Sequence, residues 1–99
     1  MPLDPGVELA AYRIVQEALT NARRHAPGSA VDVELRYTDS ALLLRIRDNG
    51  PGTTPGAEGH GLLGMRERAT AVGGVLHAGP AAVNGFLVEA TLPIGEAVT

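Results

Sequence analysis

The sequence predicts an α/β (α+β) two-layer sandwich, a mixed, largely antiparallel sheet with its helices on one face. Three observations carry this. Apolar residues recur at helical spacing near the start and again after residue 60. They alternate with polar ones at a period of two in 31–47 and 86–92. Turn residues separate these runs into the order α-β-β-loop-α-β-β, which favours hairpins and an antiparallel-rich sheet.

Residues 1–6 are Pro-rich, with Asp4 or Gly6 placed to start a helix. From Val7 to about Ala26, the residues Val7, Ala11, Ile14, Val15, Ala18, Leu19 and Ala22 form one stripe at ~100° per residue. Pro27-Gly28 stops that helix. Val31, Val33, Leu35 and Tyr37 then alternate with Asp32, Glu34 and Arg36, the pattern of a half-buried strand. Thr38-Asp39-Ser40 is a short hairpin turn, and Ala41 to Arg47 is the return strand, with Leu42, Leu44 and Ile46 on one side. Asn49 to His60 holds four glycines and two prolines and reads as a long binding loop or lid. Gly61 to Val72 regains helical spacing through Leu62, Met65, Ala69 and Val72, and Gly73-Gly74 ends it. Val75 to His77 and Phe86 to Leu92 form a second hairpin around Gly79-Pro80 and Asn84-Gly85.

Composition narrows the function. The 99 residues suit one small domain, and 44% apolar content suits a packed core. That core rests on aliphatic residues, because only Tyr12, Tyr37 and Phe86 are aromatic. With no cysteine there is neither a disulfide framework nor a thiolate metal site. No run approaches the ~20 apolar residues of a membrane span, and no signal peptide is visible, so the expected compartment is the cytoplasm. A net charge of -3 argues against broad binding of nucleic acid or anionic membranes. All eight basic residues other than histidine are arginine. The absence of lysine excludes a Walker phosphate loop and a protein-kinase ATP site, both of which need one.

Three polar constellations remain. Glu17 and Asn21 lie four apart on one helix face, and Arg24 and His25 extend the ridge. A carboxylate and an amide oxygen at that spacing suit Mg²⁺, which takes oxygen ligands; a solvated face with an i,i+4 hydrogen bond has the same spacing. Asp48 ends an apolar strand and precedes Asn-Gly-Pro-Gly. Such a carboxylate can accept a hydrogen bond from the exocyclic amine of adenine, with glycines giving a flat base access to the backbone; the alternative is an ordinary Asp-Asn-Gly turn. Gly59-His-Gly-Leu-Leu-Gly64 matches GxGxxG in form, yet no strand precedes it and no ribose-binding acid lies ~20 residues on. Glycines opening a helix can present N–H groups to phosphate, with Arg66 and Arg68 near, or can serve only as hinge and cap. His25, His60 and His77 are too widely spaced for a metal site.

In order and spacing these strings resemble the ATP-binding catalytic domain of two-component sensor histidine kinases, within the GHKL ATPase superfamily. The segment Tyr12 to Ala26 resembles the N box, Asp48 to Gly52 the G1 box, and Gly59 to Arg68 with Gly73-Gly74 the G2 box of the nitrate-sensor and desaturase-sensor subgroup. The resemblance covers about residues 6 to 94 and implies a Bergerat-type fold. It implies Mg²⁺ on Asn21 with Glu17 in support, phosphates near Arg24 and His25, and the adenine amine on Asp48 with Gly50 and Gly52 shaping the pocket. Gly59, Gly61 and Gly64 would form the lid hinge and phosphate-facing helix start, with His60 and Leu62 among the ATP-binding residues. Lysine is more usual at position 24, and Gly-Thr is frequent where this chain has Gly85-Phe86.

The expected activity is transfer of the γ-phosphoryl of ATP to a histidine on a separate dimerisation domain, with a response regulator as indirect partner. Residues 1–99 are expected to be one catalytic domain of a longer kinase that could be membrane-anchored, without the acceptor hairpin and without the edge strand that often precedes the first helix. Such a domain is expected to be inactive in autophosphorylation by itself. The alternatives are an anti-sigma-type serine kinase of the same superfamily and a nucleotide-free interaction module.

Overall fold

The computed structural model describes residues 4–50, 62–81 and 85–94. Helix α1 spans Pro5–His25. Asp4 caps it, its Oδ1 accepting the Gly6 N–H at 2.7 Å. Pro5 occupies the first turn, where its missing N–H leaves nothing unbonded. The helix ends with the Ala26 N–H bonded to the Ala22 carbonyl at 2.8 Å, and Pro27 follows. No described helix is long and apolar enough to cross a membrane.

Strands β1 (Val31–Tyr37) and β2 (Ala41–Asp48) form a hairpin. The Thr38 Oγ1 accepts the Ala41 N–H at 2.9 Å, closing the turn. Helix α2 (Leu62–Ala71) ends in a left-handed glycine cap. Gly73 has φ +81, its N–H meets the Thr70 carbonyl, and the Gly74 N–H meets the Ala69 carbonyl. Strands β3 (Val75–Pro80) and β4 (Phe86–Pro93) pair with each other, and the sheet order is β1-β2-β4-β3. All three pairings among the described strands are antiparallel, and both helices pack on one face.

The core lies between these layers. Ile14, Leu42, Leu44, Met65 and Leu92 are fully enclosed, and Ala69, Val88 and Ala90 fill the spaces between them. The helical stripe read from the sequence is the buried face of α1, with Ala10 joining it and Val15 and Leu19 half-buried. Small alanines along α1 let the helix lie close to the sheet.

Two expectations need correction. The alternation in β1 predicts a half-buried strand, yet only Val31 is half-buried; Val33, Leu35 and Tyr37 are 41%, 51% and 55% exposed. The cause is position. Among the described residues β1 is an edge strand, and its cross-strand partners Leu42, Leu44 and Ile46 already lie beneath the helical layer. Gly79-Pro80 is not a turn but the end of β3, paired with Leu87 and Phe86. Proline is tolerated there because β3 is the other edge of the sheet.

Met65 has no solvent exposure, whereas its neighbour Leu63 is 64% exposed. Met65→Ala is expected to cost about 2–5 kcal/mol in urea unfolding by leaving a cavity. Leu63→Ala should stay within about 0.5 kcal/mol. Equal losses would contradict this placement of the core.

Candidate functional site

Asp48 is the last residue of β2, on the face of Leu42, Leu44 and Ile46, and is 7% exposed. It is the one buried charged or polar side chain among the described residues. Its Oδ1 accepts the Gly50 N–H at 2.9 Å, which fixes the carboxylate plane and offsets part of the burial cost. Since a carboxylate has two acceptor oxygens, capacity remains for an amine donor.

Glycines close the walls around it. A Cβ on Gly50 would collide with the Ala26 Cβ and sit 2.8 Å from the Ser29 Oγ. The turn after β2 is thereby pressed onto the end of α1. A Cβ on Gly85 would collide with the Asp48 carbonyl oxygen, and Gly85 has φ +97. Carrying the β2–β4 register one step further sets Phe86 opposite Asp48 on the helix-facing side. Phe86 is half-buried against the core and forms an apolar wall there. The Asn49 side chain completes the turn, its Oδ1 accepting the Ala30 N–H at 3.0 Å.

On α1, Glu17 and Asn21 are half-buried one turn apart and Arg24 is exposed beyond them. The Asn21 Oδ1 lies out of solvent. Carboxylate and amide oxygens form the hard donor set that Mg²⁺ prefers, so the residues present fit that ion. His25 closes α1, and its side chain lies outside the described residues, as do Gly52, Gly59, His60 and Gly61. Leu62 opens α2, half-buried against the core. Gly64 is in the first turn of α2, where a Cβ would stand 3.0 Å from the Arg68 Nη1.

Sequence reasoning singled out Asp48 and the α1 ridge and missed the packing role of Gly85. Asn84-Gly85 resembles a turn signal, and only the adjacent strand reveals the close approach. A separate cleft of about 330 Å³ lies on the opposite, polar face of the sheet, lined in part by Glu34, Arg36, Arg45, His77 and Glu89. Its Arg45–Glu89 pair, 3.8 Å apart and half-exposed, contributes ~1 kcal/mol at most.

Asp48 is thus a buried carboxylate ending the second strand of a helix-covered antiparallel sheet. Residues 6–96 match the family of histidine kinase-, DNA gyrase B-, and HSP90-like ATPases. The chain belongs to that family, as an ATP-binding domain of the sensor histidine kinase type. It is 39% identical over 94 residues to the sensor protein VraS of Staphylococcus aureus, and 38% to that of Staphylococcus epidermidis. These matches cover 92% of this chain and 27% of each relative, so the chain spans about a quarter of their length. Among solved structures it is similar to a mycobacterial sensor histidine kinase, MprB, with TM-score 0.65, 26% identity and coverage of 82% and 70% of the two chains. The fold is also that of the ATP-binding domain of PrrB from Mycobacterium tuberculosis, with TM-score 0.67, 23% identity and coverage of 92% and 68%.

Gly28 also has a positive φ, +83, but open space around its would-be Cβ. Gly28→Ala should therefore cost about 1 kcal/mol, the strain of a left-handed alanine. Gly85→Ala should cost several times more, because β4 must also move away from Asp48. Comparison of the two urea midpoints tests this; a Gly85→Ala protein as stable as Gly28→Ala would refute the close approach.

Proposed function

We propose that this domain binds ATP with Mg²⁺ and donates the γ-phosphoryl group to a histidine on a separate helical domain of a longer sensor kinase. The observation that supports this best is the buried Asp48 carboxylate at the end of β2, whose Oδ1 accepts the Gly50 N–H and which keeps acceptor capacity for an amine. In this reading Asp48 accepts a hydrogen bond from the adenine amine, and a guanine, which presents a carbonyl at that position, is rejected. Phe86 excludes water from the same pocket. Asn21 and Glu17 hold Mg²⁺, and Arg24, with His25, meets the phosphates. Gly52, Gly59, His60, Gly61, Leu62 and Gly64 are the further residues proposed to line the phosphate and lid side. Bound Mg²⁺ supplies charge neutralisation on the phosphates. The chain's own part is to orient the nucleotide and to neutralise charge with an arginine instead of a lysine at position 24.

The acceptor histidine, its helical domain and the response regulator belong to the proposed whole protein. Residues 1–99 act as one domain within it and do not phosphorylate themselves. The named relatives are sensor proteins, which supports this reading over a serine-directed switch kinase.

Isothermal titration with ATP and Mg²⁺ tests the pocket. Asp48→Ala should weaken ATP binding about 10- to 100-fold, the effect of losing one buried hydrogen bond of ~1–3 kcal/mol. It should also erase the preference for ATP over GTP while circular dichroism stays unchanged. Asn21→Ala should remove the Mg²⁺ dependence and leave binding of adenosine intact. Unaltered ATP affinity in Asp48→Ala would sink the assignment. Phosphate transfer from radiolabelled ATP to a histidine-bearing helical domain added in trans tests the reaction itself.

A further inference from the structure

Asn49 stands between the two residues that form the carboxylate turn, Asp48 and Gly50, and is itself exposed. The β1–β2 ladder ends with Val31 opposite Asp48. One step further, the Asn49 N–H still donates to the Ala30 carbonyl at 3.2 Å. A continuing antiparallel ladder would return this bond from the Ala30 N–H to the Asn49 backbone carbonyl. Here the Ala30 N–H goes instead to the Asn49 Oδ1, at 3.0 Å. The side chain thus stands in for its own main-chain carbonyl. That carbonyl is released from the ladder, and the chain can turn away from β1 without leaving the Ala30 N–H unbonded.

The released chain turns at once, and the Gly50 N–H reaches back to the Asp48 Oδ1 at 2.9 Å. Gly50 lies against Ala26 and Ser29, and the Ser29 N–H donates to the Ala26 carbonyl at 3.0 Å. Residues 26–30 are therefore one bank of the turn, met by Gly50 through packing and by Asn49 through its two hydrogen bonds. We infer that Asn49 is a positioning residue for nucleotide binding, acting through the Gly50 N–H to aim the Asp48 carboxylate. The inference rests on the reading of Asp48 as acceptor of the adenine amine. With one carboxylate oxygen tied to a fixed N–H, the other keeps one direction toward the base. Hydrogen bonds weaken steeply with misalignment, so the strength of the amine bond depends on the turn staying in place. The Asn49 side-chain bond is exposed and adds little to global stability, so its loss falls on binding more than on folding.

Isothermal titration with ATP and GTP, each with Mg²⁺, tests this together with amide hydrogen exchange. Asn49→Ala removes the Oδ1 acceptor and should weaken ATP binding about 3- to 10-fold, the scale of one misaligned hydrogen bond. It should also lower the preference for ATP over GTP while the urea midpoint stays near that of the parent. Exchange at the Gly50 amide should quicken in this variant, and the Leu44 amide should keep its protection. Asn49→Asp retains an acceptor oxygen at the same place and should recover most of both losses at raised salt, where its added charge is screened. An asparagine with only a structural role would move the urea midpoint and leave the ATP-to-GTP ratio alone. The inference is overturned if Asn49→Ala matches the parent in ATP affinity and GTP rejection, or if its Gly50 exchange is unchanged. A folded Asn49→Asp that binds no better than Asn49→Ala overturns it as well. Asp48→Ala, run alongside, separates the two readings. If that variant binds ATP like the parent, the adenine assignment fails and takes this inference with it. If it does not, a parent-like Asn49→Ala removes the role of Asn49 alone.

Discussion

The alternation of β2 is the constraint on which the other features depend. Leu42, Leu44 and Ile46 share one face of the strand and lie in the core, and the same parity sends Asp48 to that face. A slip of one residue would expose all three apolar side chains and drive Leu43, Arg45 and Arg47 beneath the helices. Desolvating two guanidinium groups would cost several kcal/mol each, far above the ~1 kcal/mol scale of a cap or turn. Hydrophobic register thus positions a carboxylate in a buried place. Part of the cost of burying it is offset locally, by the Gly50 N–H.

Around that carboxylate, glycines allow close approach from two sides. Gly50 lets the turn after β2 touch Ala26, so the last turn of α1 is docked beside Asp48. The ridge of Glu17, Asn21 and Arg24 belongs to this same helix, and the Gly50–Ala26 contact adds to the core packing that sets its position relative to the carboxylate. Gly85 lets β4 begin against the Asp48 carbonyl, and Gly74 does likewise where the end of α2 meets Thr91 and Leu92. A methyl group at any of these positions would push a whole element outward. The glycine count reflects these contacts as much as it reflects loops.

Most of the fold was legible because its elements follow simple periods. The α1 stripe, the buried face of β2, and the inward Met65 and Ala69 of α2 all appear where apolar spacing puts them. The Asp48 carboxylate was legible for the same reason. Two misreadings share a cause. Periodicity states which residues could face a core, and it carries no information about whether anything covers them. Hence β1, with a pattern as regular as that of β2, is nearly all exposed. Gly79-Pro80 has the composition of a turn, and only an edge position lets it remain in a strand. Gly85 was hidden because its steric neighbour, Asp48, is far away in sequence.

The start of β1 is tied to the site. Ala30, just before β1, exchanges two hydrogen bonds with Asn49: its N–H meets the Asn49 Oδ1 and its carbonyl accepts the Asn49 N–H. Asn49 stands between Asp48 and Gly50, so the ordering of β1 and the shape of the carboxylate turn are tied by this pair. A strand start with little side-chain burial opens locally at low free energy, because few apolar contacts resist it. Loss of the Asn49–Ala30 pair would therefore loosen the turn whose Gly50 N–H holds the Asp48 carboxylate.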